Sequence, residues 1–270
     1  MPARSTVASA LAVLLAAGAA AAQPAPPAAT TATPVDAEIV LAVDASRSMD
    51  LTEFAVQREG YMQALRHPDL MRAVTSGFLG RVAIAYFEWS GDARDGGYVP
   101  WRIIDTPEAA QALADAISVL PISRSRGTSI SRAITFGTAL IEDGTVDGVR
   151  RIIDISGDGA NNIGPPVTGA RDVAIARGIT INGLPVIMSS AQAFPDLDFY
   201  YEDCVIGGEG AFLLVARSPE EFAGTIRRKL ILEIAGYEPE AEIVPAQFAS
   251  EMDCLIGEKL RRDRGFIPDR

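Results

Sequence analysis

Apolar residues along this chain follow two alternating patterns. Short, near-continuous apolar runs (EIVLAVDAS, RVAIAYFEWS, VRRIIDISGDG and ITINGLPVI) read as strands, mostly covered on both faces. Between them lie longer segments whose apolar residues recur at helical spacing. The first, LTEFAVQREGYMQALRHPDLMRAVTSG, places Phe54, Tyr61, Leu65 and Leu70 on one face, and His67-Pro68 breaks it. TPEAAQALADAISVL opens with a Thr cap and a Pro in the first turn. TSISRAITFGTALIED and PPVTGARDVAIARG read as two further helices, the second stopped by Gly178. SPEEFAGTIRRKLILEIAG is a capped final helix, and GAFLLVA before it reads as one more strand. YVPWRIID follows RVAIAYFEWS across a Gly- and Asp-rich link, which predicts a hairpin. Strands alternating with helices predict an α/β fold: a doubly wound, mostly parallel central sheet, one antiparallel edge strand, and helices on both faces.

The chain ends change the picture of organisation. Arg4 followed by VASALAVLLAAGAA and the small-residue stretch AAAQP predicts a cleaved export signal over residues 1–22, with Gln23 as the first mature residue. The apolar run is too short and Ala-rich for a membrane span, and no later stretch suits one. QPAPPAATTATPVDAE reads as an extended linker over residues 23–37. The domain is expected over residues 38–236 and a polar tail over 237–270, with one weakly amphipathic segment around FASEMDCLIGEKLRRDR. Such a chain is periplasmic or secreted. An exported chain with two cysteines favours a Cys204–Cys254 disulfide, docking a short tail helix; one buried and one exposed thiol is the alternative.

The formal net charge is −11, and signal removal deepens it by one because Arg4 is the only charged residue there. This repels nucleic acid and anionic lipid at long range and suits cations or basic partners. No CxxC is present, which argues against a redox motif or a cysteine zinc site.

Candidate chemistry gathers where the predicted strands end. In an open α/β sheet, ligands bind beyond the C-terminal strand edge. Asp44-Ala-Ser46-Arg-Ser48 follows the first strand, Thr128 opens a helix after SRSRG, and Asp158 follows the strand ending DISG. In extended backbone, residues i, i+2 and i+4 face one way, so Asp44, Ser46 and Ser48 share a direction. Carboxylates and hydroxyls without histidine or thiolate suit a hard ion such as Mg2+ or Mn2+. The glycines of SGDG let backbone approach closely.

The ordered set Asp44-x-Ser46-x-Ser48, Thr128 within RGTSI and Asp158 within ISGDG resembles the metal-ion-dependent adhesion site of von Willebrand factor A domains. The resemblance spans about residues 36–236. With SRSMD…QREGY, EWSG, ISGDGANN and CVIGG, it also resembles an uncharacterised bacterial exported family of that fold. The resemblance implies that Ser46 and Ser48 bind the ion directly and Thr128 directly or through water. It implies that Asp44 and Asp158 act mainly through waters and hydrogen bonds, and that an acidic side chain of a protein partner completes the metal shell.

Other residues take simpler readings. Asp50 is an N-cap with Glu53 at capping-box spacing, rather than a ligand for a second ion. Arg47, Arg124 and Arg126 read either as contacts to an acidic partner or to Asp158, or as a solvated loop. Asn161 and Asn162 read either as donors behind the site or as turn residues. Trp89 and Trp101 are expected in packing, His67 in a structural role, and IGGEG in a turn. The leading function is an exported, metal-dependent protein-binding module without catalytic activity, binding no nucleic acid and not inserting in the membrane. A metal-assisted hydrolase or phosphatase using Asp44 or Ser46 is the second reading. It lacks the paired acid of the aspartyl-phosphate pattern, and His67 is poorly placed as a base. A metal-independent scaffold is the third.

Overall fold

The structure, a computed structural model, describes residues 32–49, 51–92, 97–187, 194, 196–236 and 252–263. The export signal, most of the linker and the Asp50 cap lie outside the described residues. Five strands form one sheet: β1 (Thr33–Asp44), β2 (Val82–Trp89), β3 (Tyr98–Ile104), β4 (Val146–Gly157) and β5 (Thr180–Pro185). Their order is β3-β2-β1-β4-β5. β2, β1, β4 and β5 run parallel, and β3 returns antiparallel at the edge beside β2.

Side-chain alternation along the strands divides the core. Ala37, Ile39, Leu41 and Val43 of β1 face one layer, and Val40 and Ala42 face the other. The first layer is closed by α1 (Leu51–Arg66), α2 (Pro68–Ser76), α3 (Pro107–Ser118) and α7 (Pro219–Ala235). The second is closed by α4 (Ile130–Ile141), α5 (Val167–Ala176), and α6 (Leu197–Tyr200) with its π-helical continuation Tyr201–Val205. Burial on both faces explains why β1, β2 and β4 read as continuous apolar runs rather than alternating ones. Trp89 is fully buried, and Trp101 donates from its indole N–H to the Leu140 carbonyl at 3.1 Å.

Local chemistry ends the helices where the sequence suggests. His67 stands between α1 and α2, and its Nδ1 accepts the Asp69 N–H at 3.2 Å as the cap of α2. Thr106 caps α3 and Ser218 caps α7. Gly236 closes α7 in the left-handed region with φ 69°, which a glycine adopts without a Cβ clash. No described helix is long and apolar enough to cross a membrane.

Two expectations are corrected. β1 begins at Thr33, inside the stretch expected as linker, because Thr33, Pro34 and Val35 pair with Val146, Asp147 and Gly148 of β4. Proline is tolerated there because pairing with β2 starts only at Glu38, so the strand has one neighbour at that end. The GAFLLVA segment is not a full strand. It follows β5 through Gly183 N–H to the Phe212 carbonyl (3.1 Å), Leu214 N–H to the Gly183 carbonyl (3.1 Å) and Ala216 N–H to the Pro185 carbonyl (3.0 Å). Pro185 has no N–H for the intervening bond, so only isolated bridges remain.

Candidate metal centre

The strand order reverses between β1 and β4, and that crevice is where an open α/β sheet binds ligands. Val43 pairs with Ser156, so Asp44 and Gly157 end neighbouring strands. Beyond them the side chains form a chain of short hydrogen bonds. The Ser46 N–H donates to Asp44 Oδ1 at 2.6 Å, the Ser46 and Ser48 hydroxyls lie 2.6 Å apart, and the Ser48 hydroxyl donates to Asp158 Oδ1 at 2.7 Å. Two acids and two hydroxyls expected at one place are therefore joined there. Thr128, two residues before α4, approaches the loop just after Asp158. Its Oγ1 lies 3.9 Å from where a Cβ on Gly159 would stand. Asp44, Ser46 and Thr128 are all buried.

The set carries unmet bonding capacity. Asp44 Oδ2 is buried and has no hydrogen-bond partner, and so is the nearby hydroxyl of Tyr201. Both point at Gly157: a Cβ there would stand 2.9 Å from Asp44 Oδ2 and 3.0 Å from the Tyr201 oxygen. A bare carboxylate oxygen in such a place is costly unless something positive answers it. Burial, followed by the charge of Asp158, pushes the Asp44 carboxyl well above the usual carboxylate range. Burial also lifts Asp158, to about 6; Glu53 adds to the rise and the Ser48 hydrogen bond opposes it. A divalent cation would reverse this balance by favouring both ionised forms. Among the described residues no three His, Cys, Asp or Glu side chains are gathered as a metal cluster. The donors at the cradle are instead two carboxylates and three hydroxyls, an oxygen set suited to Mg2+ or Mn2+.

The surrounding elements fix the loop that carries Ser46 and Ser48. Arg124 donates to the carbonyls of Ser46, at 3.2 Å, and of Met49. The Arg47 N–H donates to the Ser125 carbonyl at 3.2 Å. Arg124 thus belongs to the scaffold of the cradle. From α1, Gln57 Nε2 donates to the Asp44 carbonyl at 2.7 Å and anchors the end of β1. Sequence reasoning placed Gln57 within the QREGY motif without assigning it a part in the site, and it missed Tyr201. Nothing in the local sequence marks Tyr201, which sits in a run of aromatics and acids. Asn161 and Asn162 act as donors and acceptors behind the site. Asn162 Oδ1 accepts the Thr128 N–H at 2.9 Å, and Asn161 Oδ1 accepts the Ser131 N–H at 3.0 Å.

Cys204 and Cys254 form the expected disulfide, with Cα atoms 5.5 Å apart. It carries the tail helix α8 (Ile256–Asp263).

No curated protein matches the chain. Among solved structures, the pilus adhesin SpaC of Lactobacillus rhamnosus GG aligns with a TM-score of 0.53 at 15% identity, over 76% of this chain and 31% of that one. A von Willebrand factor type A protein of Catenulispora acidiphila gives 0.52 at 15% identity, over 74% of this chain and 43% of that one. The von Willebrand factor domain of the type V pili tip protein Mfa5 of Porphyromonas gingivalis gives 0.50 at 11% identity, over 78% and 98%. The chain therefore spans less than half the length of the first two. These likenesses establish the fold, a von Willebrand factor A-like α/β sheet. Residues 34–238 match the family described as "Protein of unknown function (DUF1194)", and the chain belongs to that family.

Proposed function

We propose that this chain is an exported protein-binding module whose grip on its partner depends on a divalent cation. The observation that carries the reading is the hydrogen-bonded run Asp44–Ser46–Ser48–Asp158, which leaves Asp44 Oδ2 buried and unpartnered at the strand switch point. Asp44, Ser46, Ser48, Thr128 and Asp158 would hold Mg2+ or Mn2+. When bound, such an ion supplies an electrophilic position that accepts a carboxylate oxygen from outside. The protein's own part is positional: Gln57 holds the end of β1, Arg124 holds the Ser46–Met49 carbonyls, and Asn162 holds Thr128.

A binding role is favoured over hydrolysis because His67 is engaged elsewhere. Its Nδ1 caps α2 and its Nε2 lies 2.8 Å from Arg227, so it does not serve as a base beside Ser46. Proteins sharing the fold include a pilus adhesin and a pilus tip protein, and attachment of that kind suits an exported chain. The partner is a protein that presents an Asp or Glu side chain.

The reading is tested by calorimetric titration of the mature chain with Mg2+ and Mn2+, beside Asp44→Ala. Wild type is expected to bind at millimolar or lower concentration and the variant at least tenfold more weakly. Absence of binding by wild type would overturn the metal dependence. Capture of a partner from envelope extract that persists in chelator would point instead to a metal-independent scaffold.

A further inference from the structure

The family match ends at residue 238, yet the segment 252–263 is docked directly behind the cradle. Three contacts from α8 land on the two loops that carry Thr128 and Asp158. Gly257 packs backbone to backbone, and a Cβ there would stand 2.1 Å from the Asn161 carbonyl oxygen. Glu258 Oε1 accepts from Asn161 Nδ2 at 2.7 Å. Arg261 donates to Asn162 Oδ1 at 3.2 Å, and its Nη1 lies 3.0 Å from where a Cβ on Gly127 would stand.

Asn161 and Asn162 pass these contacts to the cradle. Asn162 is bonded to Thr128 in both directions: its side-chain oxygen accepts the Thr128 N–H, and its own N–H donates to the Thr128 carbonyl, each at 2.9 Å. Asn161 is fully buried, and its side chain ties the first turn of α4, at the Ser131 N–H, to the Pro165 carbonyl and to Glu258. The helix that holds these residues cannot stand alone. α8 has eight residues, most of them charged, and a helix of that length is unstable in isolation. Its docking is maintained by the Cys204–Cys254 bond, which closes a separation of 50 residues, and by the Met252 N–H donating to Asp203 at 3.0 Å. Docking is intramolecular in any case; the disulfide, two residues before α8, shortens the tether and so raises the effective concentration of the helix at its seat.

We propose that the disulfide-tethered segment 252–263 is a positioning element of the metal cradle. Through Asn161 and Asn162 it sets Thr128 and the loop after Asp158, and so sets the affinity for the divalent ion. This rests on the metal-binding reading of the site. By linkage, if opening the disulfide weakens ion binding by some factor, the bound ion makes the disulfide harder to reduce by the same factor.

The test uses the mature chain in three forms: wild type oxidised, wild type reduced with dithiothreitol, and Gly257→Val. The last keeps the disulfide and every charge but cannot seat α8. Mn2+ affinity is measured by titration, and backbone hydrogen exchange is measured in chelator. Reduced wild type and Gly257→Val are each expected to bind Mn2+ about 10–100-fold more weakly, the range for losing support behind a metal ligand. Exchange is expected to rise at residues 128–131 and 161–163 and to stay unchanged in β1 and β4. Unchanged exchange at those loops, or unchanged Mn2+ affinity in both altered forms, would overturn the proposal. A wild type that binds no Mn2+ while the loop exchange still rises would overturn the metal reading and leave the positioning role of α8 standing.

Discussion

Gly157 has no space for even a methyl group, and that position reads out the cradle most directly. A Cβ would press on Asp44 Oδ2 at 2.9 Å and on the Tyr201 hydroxyl at 3.0 Å, both oxygens without a hydrogen-bond partner. Gly157→Ala is therefore expected to turn Asp44 away and weaken Mn2+ binding at least tenfold, with a stability cost of about 1–3 kcal/mol for the overpacking. Titration and urea unfolding of the variant check both parts; unaltered affinity would remove Asp44 Oδ2 from the site. At this scale the sequence showed the acids and hydroxyls clearly. Asp44 ends β1, Ser46 and Ser48 lie in the turn that follows, and Asp158 follows the buried β4, so the ends of neighbouring strands bring them to one edge. The parts played by Tyr201 and Glu258 were not readable. Each reaches the site from a remote element, Glu258 across 97 residues to Asn161, and no local pattern encodes such a contact.

Among the elements, α7 carries an unusual burden. Lys229 lies fully buried, 2.6 Å from Asp154 of β4 and 2.5 Å from Glu233 one turn on; Asn182 of β5 also donates to Glu233 at 2.9 Å. Burial, then the charge of Asp154, pushes Glu233 up to about 7, and Lys229 works against that rise. Removing the cation leaves two carboxyls facing each other in an apolar layer. Lys229→Met is expected to cost about 3–5 kcal/mol, whereas Lys229→Met with Asp154→Asn and Glu233→Gln should recover most of it. Urea unfolding of the two variants separates a paired network from mere side-chain volume; equal losses in both would favour volume. The helix pattern announced α7 through its Ser218 cap and its Gly236 stop; near-continuous apolar runs announced the four parallel strands, and the Gly- and Asp-rich link announced the antiparallel β3. The charged residues inside α7 gave no sign of burial, because which face a helix presents depends on what packs there. The same limit affected GAFLLVA. Its apolar run was plain, but whether it completes a ladder depends on Pro185 in the neighbouring strand, which lacks the N–H needed.

For the whole molecule, a site that collects negative charge works against the fold that holds it. Asp44 is buried and unpartnered at one oxygen, and its carboxyl is pushed up by burial first and then by the charge of Asp158. In chelator the cost of burying this group is offset only in part, by hydrogen bonds such as that from the Ser46 N–H. Asp44→Asn keeps an Oδ1 to accept the Ser46 N–H and removes the charge, so the metal-free variant is expected to be more stable than metal-free wild type. The gain should be on the order of 1 kcal/mol, the size of a like-charge interaction at short range. Excess Mn2+ should invert that order. At about a hundred times the dissociation constant, bound ion adds about 2.7 kcal/mol to wild type, which raises the melting temperature by roughly 5–10 °C in a domain of this size. The Asn variant should show little of that rise. Paired thermal melts of the two proteins, each in chelator and in excess Mn2+, read the crossing directly. A variant less stable than wild type in chelator would mean that Asp44 serves the fold rather than the ion. Two parallel curves, unmoved by Mn2+, would mean that the strand switch point holds no cation at all.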